Sequence, residues 1–408
     1  MRATQKPDRR FRSLCFQPLE NRSLMAGDVT VAVNNGVLQI TGDSTENSVQ
    51  ISQAGKIWKV RGVGTTINGN ADVQSFSGVA NISINLGHGN DTLVATKGKL
   101  RAGANDGLFE IRDDGGMSTI TLTNVNVKEF DVQTHNEADQ LFLTKCSAAE
   151  IVVETFSVRD EAGDHILFAN CKLGNVSVST SGGNDSITVA NTAVSAECLL
   201  RTNSELSSTD PASFSANDAD SVMIYGSRIK QDFALLAGEG SDIFVLSRVQ
   251  FKADVLIVTA HAENDSIQDT VEATGLAVGG KLTIFTGGGS DEIEIIKSSA
   301  KDRIDIIATT EEDTGSDTVT LNQVKSGENI VIETGGGTDE VNLTKLTVAE
   351  VIGVHLGDGN TDRLSLTHSR AFGILLIGGD GSGDEVTLAK NKWRSEFVDV
   401  VGFELELS

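Results

Sequence analysis

The segments FTGGGSDEIEII (285–296) and ETGGGTDEVNLT (333–344) contain the pattern that decides the fold: an apolar stretch, a glycine-rich turn, an aspartate, then alternating apolar residues. LAGEGSDIFVLS (236–247) and NLGHGNDTLVAT (85–96) repeat it. Self-similarity at a period of two dozen residues is typical of solenoids. With that aspartate as the corner of each unit, we place the corners at Asp91, Ser118, Asp139, Asp164, Asp185, Asp220, Asp242, Asp265, Asp291, Asp317, Asp339, Asp362 and Asp384.

The residues behind each corner alternate between apolar and polar. Two positions after it the residue is apolar in every unit, and four positions after it Asp269 alone is not apolar. Only 39% of the chain is hydrophobic, so chance does not explain this regularity. A period of two predicts a β-strand with one buried face.

Two further strands are expected in each unit. Apolar pairs such as Leu282/Ile284 precede the glycine turns, and apolar residues recur nine positions after the corner, as at Leu173 and Phe251. Three short strands in 22–26 residues predict an all-β fold, a parallel β-helix of about 13 coils over residues 81–408. Right-handed winding is expected from general chirality rules.

Equal offsets in neighbouring coils should stack. Cys146 and Cys171 each lie seven positions after their corners, so we expect them to be neighbours, as apolar fillers rather than as a disulfide. The long interval between Asp185 and Asp220 predicts a surface loop at residues 203–219. Residues 28–80 are less regular, with a hairpin signal at Asn35-Gly36 and Asn47 at a corner position, and are interpreted as a cap or degenerate first coil.

Composition limits the classes of partner. The net charge is −24, which disfavours nucleic acid and anionic lipid and favours cations. No run of eighteen apolar residues exists, so no membrane-spanning helix is expected. Only three Pro, one Tyr and two Trp occur, and known enzyme motifs such as GxSxG and HExxH are absent from the sequence.

The N-terminal segment has no ordinary signal-peptide pattern. Residues 1–27 are basic, with four arginines among residues 2–12, and lack a long apolar stretch. PLENRSLMAG (18–27) resembles the LEPR-xLL type of N-terminal segment found in large exported bacterial surface proteins, with Asn21 and Met25 departing from that pattern. The resemblance implies a leader that is removed or disordered, and a secreted or cell-surface location.

The turns resemble the GGxGxD repeats of RTX-type secreted proteins, in which backbone carbonyls and the aspartate hold Ca²⁺. Here one turn occurs per coil instead of one every nine residues, so a full ladder of calcium sites does not carry over. Glycine for a tight corner and aspartate as a turn cap also explain the motif without metal. Candidate calcium ligands are the acids of consecutive acid-rich turns and intact motifs, namely Asp339, Asp358, Asp362, Asp380, Asp384, Asp91, Asp242 and Asp291.

Three functions remain open. The leading hypothesis is a non-catalytic, exported, acidic β-solenoid with a structural, surface or adhesive role, whose partner is a surface polysaccharide or another matrix protein. The second is a carbohydrate-active β-helix enzyme, a lyase or hydrolase with acids near the loop, such as Glu205, Asp210, Asp218 and Asp220. The third is a calcium-dependent RTX-like binding module.

Overall fold

The chain is described by a computed structural model at residues 27–100, 106–135, 137–156, 163–180, 182–202, 218–238, 240–259, 267–310, 313–359, 361–379, 381–394 and 397–406. These residues form β-strands and no helix, and the strands stack into a parallel β-solenoid of about 12 turns. The predicted all-β solenoid is confirmed. The predicted number of about 13 coils equals the number of predicted corners. Thirteen corners enclose twelve full turns, which explains the difference. The right-handed winding stays a prediction.

The corner strands form one long parallel sheet. Each follows a corner residue by one position and pairs in register with the corner strands of the turns before and after it. The corner strands are Thr92–Thr96, Thr119–Thr123, Gln140–Thr144, His165–Ala169, Ser186–Ala190, Ser221–Tyr225, Ile243–Ser247, Thr270–Thr274, Glu292–Ile296, Thr318–Asn322, Glu340–Thr344, Arg363–Thr367, Glu385–Ala389 and Glu404–Glu406.

The return strands form the second long parallel sheet and end just before the glycine turn. They are Asn81–Asn85, Leu108–Arg112, Glu129–His135, Ser147–Phe156, Lys172–Ser179, Cys198–Arg201, Phe233–Leu236, Val255–Val258, Leu282–Phe285, Ile304–Ile307, Ile330–Glu333, Val351–His355, Gly373–Ile377 and Val398–Val401. Short strands precede the later ones, and their second residue lies at the predicted apolar position and is apolar except at Ser326: Ala193–Val194, Arg228–Ile229, Gln250–Phe251, Ala277–Val278, Ser299–Ala300, Lys325–Ser326, Thr347–Val348, Arg370–Ala371 and Lys392–Trp393.

The core is a set of stacked apolar columns. Ile293, Val341 and Val386 belong to one column because each intervening pair is in register, and each is at most 1% exposed. Burying such side chains contributes about 1.5–3 kcal/mol each. Cys146 and Cys171 are neighbours in another column, both buried and both free thiols, so the predicted register is confirmed.

One predicted corner is wrong. Thr270–Thr274 pairs with Ile243–Ser247, which makes Asp269 the corner of this turn, four residues beyond Asp265. Asp265 itself lies outside the described residues. With Asp269 as the corner, the residues two and four positions on are Val271 and Ala273, both buried. The apolar rule therefore has no exception, because the one misfit came from the misplaced corner.

The N-terminal strands pair antiparallel with each other and then join the parallel stack. Asp28–Asn34 and Val37–Thr41 form the hairpin predicted at Asn35-Gly36, where both turn residues have positive φ. Ser48–Ala54 and Ile57–Gly62 form a second hairpin, and Thr66–Ile67 and Gln74–Phe76 complete this part. Ser48–Ala54 also pairs in parallel with the first corner strand, so the hairpin lies across the end of the column. No described helix has the length and apolar character needed to span a membrane.

A left-handed corner follows each corner strand from Thr92–Thr96 to Glu385–Ala389. The residue six positions after each corner has positive φ, as at Asn170, Lys297 and Lys345, and it is Gly at 226 and 275. This conformation costs non-glycine residues roughly 1 kcal/mol, and Asn or unbranched side chains tolerate it better than β-branched ones. The residue type at this offset is therefore limited by backbone geometry, not by contacts with the core.

Substitution at this offset tests the backbone argument. We expect Lys345→Gly to raise the free energy of unfolding by about 0.5–1 kcal/mol, because φ is +56° there and glycine removes the strain. Lys325→Gly, in a short strand without positive φ, should lower it. Chemical denaturation measures both, and equal effects at the two sites would contradict the argument.

Candidate functional site

The corner residues form one buried column along the inside of the turn. Each is at most 5% exposed, although most are acidic. The column comprises Asn47, Asp91, Ser118, Asp139, Asp164, Asp185, Asp220, Asp242, Asp269, Asp291, Asp317, Asp339, Asp362 and Asp384. Burying carboxyl groups is unfavourable unless hydrogen bonds or neutralisation compensate, so the contacts of this column decide what it can do.

Each aspartate of the column accepts a hydrogen bond from the backbone of the previous turn. The backbone N–H of Asp339 donates to Oδ1 of Asp362 at 2.8 Å, and the N–H of Asp317 donates to Oδ1 of Asp339 at 2.9 Å. The same bond recurs at 2.7–3.1 Å from Asn47 onto Asp91 and, past the interruption at Ser118, from Ser118 onto Asp139 through Asp362 onto Asp384. We name this row of bonds the aspartate ladder. It gives the corner N–H, which the tight turn takes out of the ordinary sheet pairing, an acceptor of its own.

The second carboxylate oxygen has a different environment. In Asp317, Asp362 and Asp384 the Oδ2 atom is buried and has no hydrogen-bond partner. An ionised carboxylate in this position would leave a charged oxygen without water or a donor. The neutral acid avoids that cost, because protonation of Oδ2 leaves Oδ1 free to accept the backbone N–H.

Burial accordingly raises the pKa of several ladder carboxyls. It raises the pKa of Asp317 to about 9, opposed by the hydrogen bond from the Asp291 backbone and reinforced by the charges of Asp291 and Asp339. The pKa of Asp339 rises to about 7 and that of Asp362 to about 6, again chiefly through burial. Stacked acids therefore titrate across the neutral range.

In one turn the buried acid lies on the opposite side of the corner from the other ladder acids. Its corner residue is Ser118, and Asp113 lies at the opposite side of the same turn, at the end of the preceding return strand. The Asp113 carboxyl is buried, and burial followed by the charges of Asp139 and Asp91 raises its pKa to about 8, opposed by the hydroxyl of Ser118. The sequence DDGGMS (113–118) gave no reason to expect a buried acid here.

The structure places the predicted calcium ligands in two environments. Six of them, Asp91, Asp242, Asp291, Asp339, Asp362 and Asp384, are members of the aspartate ladder, and the Oδ1 of each accepts a backbone N–H. Asp358 is exposed on its turn, and Asp380 lies outside the described residues. The part of the chain that is described contains no group of three or more His, Cys, Asp or Glu arranged for a metal ion. The calcium prediction stays a prediction.

The glycines of the predicted motif have a structural reason within the stack. Gly289 and Gly337 have φ of +115° and +121°, and a Cβ on either would overlap the carbonyl of the adjacent turn, at Ile267 and Gly315. Both the backbone conformation and the close stacking of turns therefore require glycine at this position.

The residues considered for carbohydrate chemistry are dispersed. Asp218 and Asp220 are buried, and Asp220 belongs to the ladder. Trp58 is 1% exposed and packs against Gly98, whereas Tyr225 is 40% exposed on the outer face of its corner strand. Residues 203–217, with Glu205 and Asp210, lie outside the described residues.

Comparison with known proteins adds no relative. No family model matches the chain, and no curated protein or solved structure matches it significantly.

The raised pKa values predict the direction of the pH dependence of stability. A carboxyl group whose folded pKa lies above its unfolded value near 3.9 stabilises the fold fully below that value. The stability is lost as the pH rises through the folded pKa values, which are about 6 to about 9 for Asp362, Asp339 and Asp317. We therefore expect the free energy of unfolding to fall between about pH 5 and pH 9, by up to about 1.4 kcal/mol per pH unit for each group.

The ladder also predicts different effects for two substitutions at one site. Asp317→Asn keeps an oxygen acceptor for the Asp291 N–H but cannot ionise, so the variant should show a weaker pH dependence. Asp317→Ala removes the acceptor and should lower the free energy of unfolding by about 1–3 kcal/mol at pH 5. Urea titrations at pH 5, 7 and 9 measure both. A wild-type stability that increases towards pH 9 would contradict this assignment.

Proposed function

We propose that this protein is an exported, acidic β-solenoid with a structural, surface or adhesive role and no catalytic activity of its own. The observation that carries the proposal is the aspartate ladder, which links Asn47 to Asp91 and then every turn from Ser118 to Asp384, and directs the recurring acids of the repeat inwards to the backbone. Acids engaged in this way serve the stack and are not free to act on a substrate. The net charge of −24 would keep such rods soluble and apart from one another.

A scaffold built from equivalent turns should tolerate the loss of whole turns. Deleting Glu292–Asp339 joins Asp291 to Glu340 and removes two turns while every remaining side chain keeps its face. We expect the variant to fold with the same β-sheet circular dichroism and to be shorter by about 10 Å in small-angle scattering of the dilute protein. The matched control deletes Glu292–Glu340, one residue more, which reverses the two faces of the next strand and should lower Tm.

Turnover assays test the non-catalytic part of the proposal. The protein and its two-turn deletion variant are incubated with acidic and neutral polysaccharides, and reducing ends and unsaturated products are measured. We expect neither product above a heat-denatured control. Product formation that depends on Asp218 or Tyr225 would replace the scaffold proposal with the carbohydrate-active one.

Calcium binding is a second candidate, and the Oδ2 atoms of Asp362 and Asp384 favour it because a buried oxygen without a donor can be satisfied by a cation as well as by a proton. This candidate predicts that several millimolar Ca²⁺ raises Tm by a few degrees at pH 7.5, more than Mg²⁺ does. Asp362→Asn should reduce the shift and Glu350→Gln, an exposed acid elsewhere, should not. An unchanged Tm would remove calcium from the proposal.

A further inference from the structure

The outer face of the return strands carries three rows of side chains along the solenoid. In the turns from residue 197 to 333 the register of successive strands fixes which residues share a row. The rim row is Glu197, Asp232, Asp254, Lys281, Arg303 and Asn329. The middle row is Leu199, Ala234, Leu256, Thr283, Asp305 and Val331. The edge row is Arg201, Leu236, Val258, Phe285, Ile307 and Glu333.

Four successive turns place apolar side chains in the edge row. Leu236, Val258, Phe285 and Ile307 point outwards and are half-buried, and Leu256 beside them is 39% exposed. In earlier turns the same row contains Asn85, Arg112, Gln133 and Glu154. The row is apolar again at Ile377 and Val401, but only here are four apolar residues consecutive and flanked by charges of both signs, which indicates a surface that is covered by a partner.

The charges around the apolar stretch change sign at its middle. The rim row has acids at Glu197, Asp232 and Asp254, and then bases at Lys281 and Arg303. The edge row begins with Arg201 and ends with Glu333. The change falls between the turns of Asp254 and Lys281, and the apolar residues are distributed evenly on both sides of that point.

A two-fold axis along the strand direction at this point would make the face complementary to itself. It would place Asp254 opposite Lys281, Asp232 opposite Arg303, and Arg201 opposite Glu333. In the edge row it would place Val258 opposite Phe285 and Leu236 opposite Ile307. Such isologous pairing, with each contact occurring twice, is the usual geometry of a homodimer.

We propose that the partner of this face is a second copy of the chain, packed face to face and antiparallel along the solenoid axis. The apolar residues of the edge row form the centre of the contact, and the rim charges set its register.

The middle row contains one acid that this arrangement must accommodate. Asp305 lies opposite Ala234, where there is no counter-charge. However, its carboxylate is already paired within its own chain, with Lys281 at 2.7 Å and with Arg303, and its side chain is 4% exposed. The small Ala234 side chain leaves room for these three groups, so no unpaired charge is buried.

The size of the contact sets its expected strength. Six turns at about 4.8 Å and a strand of about 16 Å give roughly 460 Å² per copy, or about 920 Å² in total. This is the size of a weak, transient contact. A shallow groove of about 520 Å³ along Leu199, Ala234 and Leu256 would be filled on association. We therefore expect a reversible dimer.

The test measures mass against concentration for the full chain by sedimentation and light scattering. The mass should rise with concentration from the 43.1 kDa of one chain to twice that value, and the dimer should weaken at high salt. Val258→Lys should weaken it about tenfold or more, because it would bury a charge opposite Phe285. Thr320→Lys, on the outer face of a corner strand, is the matched control and should have no effect.

A charge exchange tests the register. Asp254→Lys and Lys281→Glu should each weaken the homodimer about tenfold, because each puts like charges opposite one another. A mixture of the two variants should dimerise more strongly than either variant alone, since the Asp254→Lys copy then meets opposite charges at both sites. Circular dichroism of each variant shows that it is folded.

Two results would overturn the proposal. One is a chain that stays monomeric at all accessible concentrations. The other is a dimer that is unaffected by Val258→Lys but lost in Val398→Lys, a residue of the last turn that is 45% exposed, which would locate association at the end of the stack. Either result leaves the proposed scaffold role intact, because that role rests on the ladder and not on this face.

Discussion

The hydrogen bond from a corner N–H to the aspartate of the next turn is the interaction on which the rest of this structure depends. A tight corner between two strands removes one N–H from the sheet, and a solenoid repeats that deficit in every turn. Because the acceptor comes from the neighbouring turn, the bond satisfies the corner and also joins the turns. The stacking of apolar columns then supplies most of the stability, but only in the register that the corner sets.

The same interaction brings an electrostatic cost. Aspartates at the same position in successive turns repel one another when ionised, and burial disfavours their charge further. The raised pKa values of Asp317 and Asp339 express this cost, with burial as the largest cause. A buried row of acids, several of them with raised pKa values, is therefore a structural device of this fold, and an oxygen that accepts a proton there would equally accept a cation.

The sequence predicted the solenoid, the apolar columns and the Cys146–Cys171 contact because these follow from periodicity. It placed one corner wrongly because Asp265 and Asp269 both precede apolar residues. With Asp265 as the corner, Asp269 would have occupied an apolar core position, and that misplaced acid was the signal of the error. The sequence could not predict on which side of the turn the carboxylates lie, since glycine-aspartate turns suit both an inward ladder and an outward calcium site. Asp113 was missed for a related reason. Only the folded turn shows that Asp113 and Ser118 lie on opposite sides of one corner.

Hydrogen exchange at the Asp339 amide tests the central claim most directly, because this N–H has the Asp362 carboxylate as its acceptor. The account predicts a well-protected amide in the wild type and a selective loss of that protection in Asp362→Ala. Amides of the adjacent strand Glu340–Thr344 should keep theirs. A rapidly exchanging Asp339 amide in the wild type, or unchanged protection in the variant, would contradict the aspartate ladder as the interaction that holds the turns together.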